Sequence, residues 1–511
     1  MSVARVASRA QLGLSAPRVE VEVHLGSGLP QFSIVGLPAT AVKESKDRVR
    51  AALANCGFEW PAGRVTVNLS PADLPKEGCR YDLPIALGIL LASSQVRFDA
   101  QLLAGTEFYG ELGLAGELRP IKGVLLAAAH AARDAHHIVV PRANVAEASL
   151  AARALTRGAA TLAEVCALST DRVETSPGAP LPAPRLDRSA ASAPDLADVR
   201  GQAAAKRALL IAAAGGHSIL LVGPPGSGKS MLAQRLPGLL PPLEGDAALE
   251  VAAIASISTR GFDAREYGVR PFRSPHHTAS AGAIIGGGSR LWPGEVSLAH
   301  RGVLFLDELP EFNRAVLESL REPLETGIVA LSRAAHQVEY PARFQLVAAM
   351  NPCPCGYLGD LTGRCRCAPP EIARYRHRIS GPLLDRIDLR VEVPAVPNEE
   401  LLGEEDRSGP GQITTVSTMA RVCEARSIQL ERTGRLNAEL PVPELKKVCR
   451  TDRKVRTLLA QARLQFGLSA RGVHRVLRVA RTIADLDEEK PGDLRTLHVA
   501  EALQLRGALL Q

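Results

Sequence analysis

The stretch His217-Ser-Ile-Leu-Leu-Val-Gly223-Pro224-Pro225-Gly226-Ser227-Gly228-Lys229-Ser230 decides the fold of this 511-residue chain. Four apolar residues, Ile219 to Val222, read as a buried strand, and a helix is expected from near Lys229. Between them the spacing is G-x-x-x-x-G-K-S, in the strand–loop–helix context that gives this motif its meaning. The glycines let backbone N–H groups curl around phosphate oxygens, and the helix points its positive end at them. Lys229 is placed to reach the β- and γ-phosphates of ATP, and Ser230 to hold Mg²⁺.

Outward from this loop, Gly302-Val-Leu-Phe-Leu-Asp307-Glu308 closes an apolar run with two carboxylates. It reads as a buried parallel strand with the acids at its C-terminal tip. Asp307 is expected to position Mg²⁺ and Glu308 to polarise an attacking water. A further apolar run, Phe344-Gln-Leu-Val-Ala-Ala-Met-Asn351, ends on a polar residue, which is either a sensor of bound phosphate or a turn-forming Asn before Pro352. Together these segments specify an ATP-hydrolysing α/β domain.

Composition is compatible with that reading. The chain is 46% hydrophobic and 23% charged, with a net charge of +7, a modest excess that suits an anionic polymer partner. Its length suggests about two to four domains. No apolar segment follows the N-terminus as a signal peptide would, and no 18-residue apolar run is present, so a cytoplasmic protein without a membrane span is expected. Of nine cysteines, five are scattered, which fits a reducing compartment.

Residues 1–170 alternate strand and helix patterns: Val19 to Leu25 and Val65 to Leu69 have strand period, while Ala41 to Asn55 and Leu125 to Ala135 read as helices. Residues 171–194, rich in Pro, Ala, Ser and Arg, read as a linker. The ATPase core is expected over 195–394. A polar patch, Pro397 to Gln412, leads into a helical segment within 395–511, with helical spacing at Lys454 to Arg463 and Val473 to Ala484.

The other four cysteines, Cys353, Cys355, Cys365 and Cys367, crowd one glycine-bearing loop. Four thiolates there suit a structural Zn²⁺ bracing Asn351, although C-x-C spacing is less common than C-x-x-C, and free thiols are the alternative. Basic side chains also gather in two insertions. One, Gly261 to Pro293, carries Arg270, Arg273, His276, His277 and Arg290; the other, Ile328 to Arg343, carries Arg333, His336 and Arg343. Such loops can follow a phosphate backbone with little base specificity, or serve subunit packing or a protein partner.

The set of strings resembles the AAA+ superfamily and, more closely, the YifB/ComM group of magnesium-chelatase-like ATPases. The resemblance rests on Val67-Asn-Leu-Ser-Pro-Ala-Asp-Leu-Pro-Lys-Glu-Gly78, Asp82-Leu-Pro-Ile-Ala-Leu-Gly88, Arg273-Ser-Pro-His-His-Thr-Ala-Ser280, Asn351-Pro-Cys-Pro-Cys-Gly356 and Val479-Ala-Arg-Thr-Ile-Ala-Asp-Leu486, and covers nearly the whole chain. It implies a Lon-protease-like α+β N-terminal domain, an AAA+ core and a helical lid. It also implies a homo-hexameric ring and a DNA motor driving branch migration of single-stranded or branched DNA. On this resemblance Asn351 senses the γ-phosphate. Arg386, in Leu384-Asp-Arg-Ile-Asp388, projects into a neighbouring subunit's ATP site; its alternative is a local ion pair with Asp385 or Asp388. Arg471, opening a basic helix, reaches over the γ-phosphate from the lid.

A protease is the rival to test. Lon-type enzymes place a Ser in a P-K-D-G-P-S-A-G string and a Lys in P-I-G-G-x-K. Here Pro75-Lys-Glu-Gly-Cys-Arg80 puts Arg80 at the serine, and Pro120-Ile-Lys-Gly-Val-Leu125 puts Leu125 at the lysine. Both nucleophile and activator are missing. A magnesium-chelatase-type motor or remodelling ATPase acting on a protein partner remains open. A transcription-activating AAA+ would carry G-A-F-T-G-A where this chain has Ala281-Gly-Ala-Ile-Ile-Gly286.

Overall fold

β1 (Ser2–Arg9) and β2 (Arg18–Gly26) pair antiparallel at the start of the chain, and in β2 the buried Val19, Val21 and Val23 alternate with polar neighbours. That period of two puts one face on a core. The computed structural model describes residues 2–168, 194–288, 291–333, 336–359, 363–396, 413–487 and 492–507. The expected linker, apart from Pro194, and the patch Pro397 to Gln412 lie outside these residues.

The described chain forms two compact units. The first is built on a mixed sheet that adds β3 (Gln31–Val35), β4 (Arg64–Ser70), β5 (Thr106–Phe108), β6 (His137–Pro141) and β7 (Thr156–Ala159), in the order β3-β4-β2-β1-β5-β6-β7. The helix expected over Ala41 to Asn55 is instead two, α1 (Thr40–Lys43) and α2 (Ser45–Asn55). The Ser45 hydroxyl donates to the Val42 carbonyl at 2.7 Å, a local bond that competes with the helical ladder. α3 (Asp82–Ala92) is buried almost all round against β1 and β2. α4 (Val124–Arg133) and α5 (Val145–Ala152) close a smaller core over Tyr109, Ile138 and Val140.

The second unit contains the ATP motifs. α6 (Ala203–Gly215) precedes β8 (Ile219–Val222) and α7 (Lys229–Leu239). The chain then contributes α8 (Gly245–Ser256), within Glu244–Gly268, to the first unit, where α8 packs on α4. It returns through β9 (Phe272–Arg273) and β10 (Val303–Leu306), forms a hairpin of β11 (Ile328–Arg333) and β12 (His336–Pro341) in which Ser332–Glu339 group with the first unit, and continues in the second through β13 (Gln345–Met350), α9 (Pro369–Arg376) and β14 (Leu389–Glu392). The sheet is parallel throughout, in the order β9-β10-β13-β8-β14. Its three central strands are buried on both faces, which is why they read as nearly unbroken apolar runs. Helices α10 (Thr415–Thr433), α11 (Val442–Val448), α12 (Arg453–Gln465), α13 (Ala470–Leu486) and α14 (Thr496–Gly507) share its hydrophobic core.

Candidate functional site

Strand register assembles the site. Val222 at the end of β8 lies opposite Met350 of β13, and Leu306 at the end of β10 opposite Ala348. Gly223, Asp307 and Asn351 therefore leave adjacent strand ends, the edge where open α/β sheets bind ligands. Gly226 and Gly228 take φ of +76° and +92°, which turns the loop into α7. The buried Lys229 Nζ donates to the carbonyls of Gly223 (2.7 Å) and Pro224 (2.8 Å) and to Asn351 Oδ1 (3.3 Å). Burial lowers this ammonium's pKa, and Asp307 and Glu308 oppose the shift. The Ser227 hydroxyl is buried with no hydrogen-bond partner among the described residues.

Ser230 Oγ donates to Asp307 Oδ2 at 2.7 Å. A hydroxyl beside a carboxylate is a hard-oxygen pair that suits Mg²⁺ carried with a nucleotide. Glu308 follows in a left-handed conformation (φ +52°, ψ +48°), its N–H bonded to Asp307 Oδ1 at 3.0 Å. His277 Nδ1 lies 3.4 Å from Glu308 Oε2, and its ring rests against His276, with centroids 4.1 Å apart. Sequence reading did not bring His277 to this carboxylate: two adjacent histidines in an insertion carry no signal of what they will touch.

Arg386 and Arg471 come together elsewhere. Both guanidiniums engage Glu325: Arg386 as a close ion pair, Arg471 at 3.8 Å. Arg386 thus pairs with neither Asp385 nor Asp388, and also donates to the Pro382 carbonyl at 2.8 Å. Arg386 holds the Glu325 carboxyl below its usual pKa. A cavity of about 420 Å³ is lined chiefly by Arg321, Glu325, Asp385, Arg386, Arg471 and Arg475, with no P-loop residue in its wall. Glu325 was not singled out from sequence, because a charged residue at helical spacing looks like a solvated face.

The four loop cysteines converge. Sγ of Cys353 lies 3.4 Å from that of Cys355 and 3.8 Å from that of Cys365, with 3.7 Å between Cys355 and Cys365. All four sulfurs lie within 4.8 Å of one another. A tetrahedral ion with Zn–S of about 2.3 Å requires S···S edges of about 3.8 Å, so the donor set fits zinc. Backbone N–H groups, that of Tyr357 foremost, lower the Cys355 thiol to about 6.

In the first basic insertion two arginines have partners within the chain. Arg270 is half-buried and donates to the carbonyls of Pro241 and Arg301, both at 2.5 Å. Arg273 makes a two-bond pair with Glu295 at 2.6 and 2.7 Å. Both guanidiniums have partners within the fold. Arg290 and the side chains of Arg333 and His336 lie outside the described residues.

In the first unit the two Lon-type strings do meet. Arg80 donates to the Lys122 carbonyl at 2.9 Å and to Gln11 Oε1 at 2.7 Å, and Leu125 is buried. Burial pushes the neighbouring Cys79 thiol up to about 11, so it stays protonated at neutral pH. The two strings come together with Arg80 and Leu125 at the compared positions.

Comparison with known proteins agrees with this geometry. Residues 195–401 match the family described as magnesium chelatase, subunit ChlI. Residues 21–144 match subunit ChlI of Mg-chelatase, and 412–506 the ChlI C-terminal family. The chain is 47% identical over 515 residues to the competence protein ComM of Haemophilus influenzae, covering 99% of this chain and 98% of that protein. It is 47% identical over 508 residues to YifB of Escherichia coli, covering 99% and 97% respectively. Among the described residues no helix is long and apolar enough to cross a membrane. A family of this type implies ATP hydrolysis, and the chain belongs to the YifB/ComM family of magnesium-chelatase-like AAA+ ATPases.

Proposed function

We propose that this ATPase is a ring-forming DNA motor, a helicase or translocase that promotes branch migration in recombination or natural transformation. The observation that carries the reading is the end-to-end correspondence with a relative named as a competence protein. In this reading the P-loop N–H groups and Lys229 bind the phosphates of ATP, while Ser230 and Asp307 hold Mg²⁺. Glu308 accepts a proton from the attacking water, and Asn351, within reach of Lys229, orients that water. Arg386 and Arg471 neutralise charge on the γ-phosphate of a neighbouring copy. Support for their acting in trans is that they share a cavity without a P-loop residue in its wall. The four cysteines hold one structural Zn²⁺.

A chelatase-type motor working through a protein partner is the second reading, favoured by the ChlI matches along the chain. The N-terminal domain does not separate the two, since it too matches a ChlI family. The test is ATP hydrolysis by the pure protein alone, then with single-stranded, duplex and four-way-junction DNA, paired with movement of a labelled junction. The DNA reading expects stimulation by branched or single-stranded DNA and ATP-dependent junction movement. Hydrolysis unaffected by every DNA, with no movement, would transfer the proposal to the chelatase-type reading.

A further inference from the structure

The four-cysteine knuckle touches the nucleotide loop directly. β13 delivers the chain to Asn351, and Cys353, fully buried, follows two residues later. Gly356 then turns with φ +85°, its N–H donating to the Cys353 carbonyl at 3.0 Å. At this turn the loop presses on the P-loop: a Cβ on Gly356 would lie 2.6 Å from Cδ and 2.8 Å from Cγ of Pro225, closer than real Cβ contacts come. Pro225 follows the two carbonyls, of Gly223 and Pro224, that hold Lys229. The far end of the knuckle returns to the same place. After Cys367 the chain enters α9, where Arg376 Nε reaches the Pro352 carbonyl at 3.5 Å.

Among the described residues between β13 and α9 no helix or strand fixes the loop. The converging thiols are therefore the main device for holding Gly356 against Pro225, and a metal tie is effective where secondary structure is lacking. Thiolates select zinc over the hard ions Mg²⁺ and Ca²⁺. We infer that the zinc knuckle is a prop for the P-loop: one Zn²⁺ on Cys353, Cys355, Cys365 and Cys367 sets nucleotide affinity through the contact of Gly356 with Pro225. This inference rests on the zinc assignment made above, and it adds a ligand-binding role to what would otherwise be a purely structural ion.

The test measures metal and nucleotide separately on the full chain. Zinc is counted by elemental analysis, and binding is read with the fluorescent probe mant-ADP in wild type, Cys367→Ser and Gly356→Ala. Cys367 lies at the end of the knuckle remote in sequence from Asn351, so its loss removes the ion without altering a P-loop contact. The expected result is about one zinc in wild type and none in Cys367→Ser, with mant-ADP binding weaker on the order of tenfold. Gly356→Ala should keep its zinc yet weaken binding by a similar factor, since the added methyl must push Pro225 away. Should Cys367→Ser fold poorly, zinc is drawn from wild type with a chelator and restored, and affinity should fall and return with it. Zinc near zero in wild type, with none taken up on addition, overturns the metal assignment. One zinc per chain with mant-ADP affinity unchanged in Gly356→Ala, and unchanged on zinc removal, leaves the metal standing and overturns the prop.

Discussion

At the scale of single residues, Glu308 separates binding from chemistry. Asp307 already satisfies the Ser230 hydroxyl and the Glu308 N–H, so the Mg²⁺ position does not depend on the Glu308 side chain. Glu308→Gln preserves shape and removes only the proton acceptor. Turnover should fall by about 10²–10⁴-fold, the range for losing a general base, while mant-ATP binding stays within about twofold of wild type. Turnover above about a tenth of wild type would show that another group orients the water. These residues were legible because phosphate chemistry constrains spacing along the chain: a loop of fixed length between strand and helix, and an acid pair at a strand tip. His277 was not legible, because its approach to Glu308 depends on where an insertion folds back. The intrachain partners of Arg270 were not legible for the converse reason. A basic residue in a loop looks solvent-facing until neighbouring carbonyls, here those of Pro241 and Arg301, enclose it.

Between elements, a buried polar network ties helix α13 of the C-terminal region to the parallel sheet. Asp388, at the entry to β14, is enclosed by His217 before β8 and Arg475 of α13, at 3.2 and 2.5 Å. The other ring nitrogen of His217 lies 2.7 Å from Thr482 Oγ1, also on α13. Arg478 and Arg506 lie near the same carboxylate. Burial alone would raise the Asp388 pKa, but His217 and Arg475 overcome it and hold the carboxyl well below the usual carboxylate range. A folded-state pKa below the unfolded one gives stability that is fully present above about pH 4 and lost as pH falls toward the depressed value. The thermal midpoint should therefore drop on acidification from about pH 5 to 3, and Asp388→Asn should flatten that dependence. Arg475→Met leaves a buried carboxylate without its guanidinium and should destabilise the second unit by about 3 kcal/mol in denaturant titrations. A midpoint unchanged by either substitution would reduce the network to a packing detail. Sequence gave Asp388 only as a possible partner for Arg386. The pairing that occurs spans 171 residues to His217 and lies beyond any local period.

For the whole molecule, the decisive question is whose ATP the two arginines serve. From sequence alone Arg386 was expected to act on a neighbour, with Arg471 reaching over the γ-phosphate from the lid. The fold gives them a common carboxylate, Glu325, and a common cavity, which is compatible with the proposal that they serve one phosphate together. Arg386→Ala should lower turnover by about 10³-fold, as loss of an arginine finger does, and Lys229→Ala should abolish it. In rings mixed one to one, an interface regains function when an Arg386→Ala subunit offers its intact P-loop to a Lys229→Ala neighbour's intact finger. Random assembly of a head-to-tail ring makes about a quarter of interfaces of this kind, so activity should recover toward that fraction. Arg471→Ala mixed with Lys229→Ala should recover in the same way. The third mixture, Arg386→Ala with Arg471→Ala, is the discriminating one. If both arginines come from the same neighbour, no interface in that mixture has the pair, and activity stays low. If Arg471 serves its own chain's nucleotide, an Arg386→Ala subunit keeps Arg471 in place and borrows Arg386 from the Arg471→Ala neighbour, so activity returns. Recovery in the third mixture would assign Arg471 to its own subunit, and no recovery in the first, with mixed rings verified by mass, would remove the trans role from Arg386.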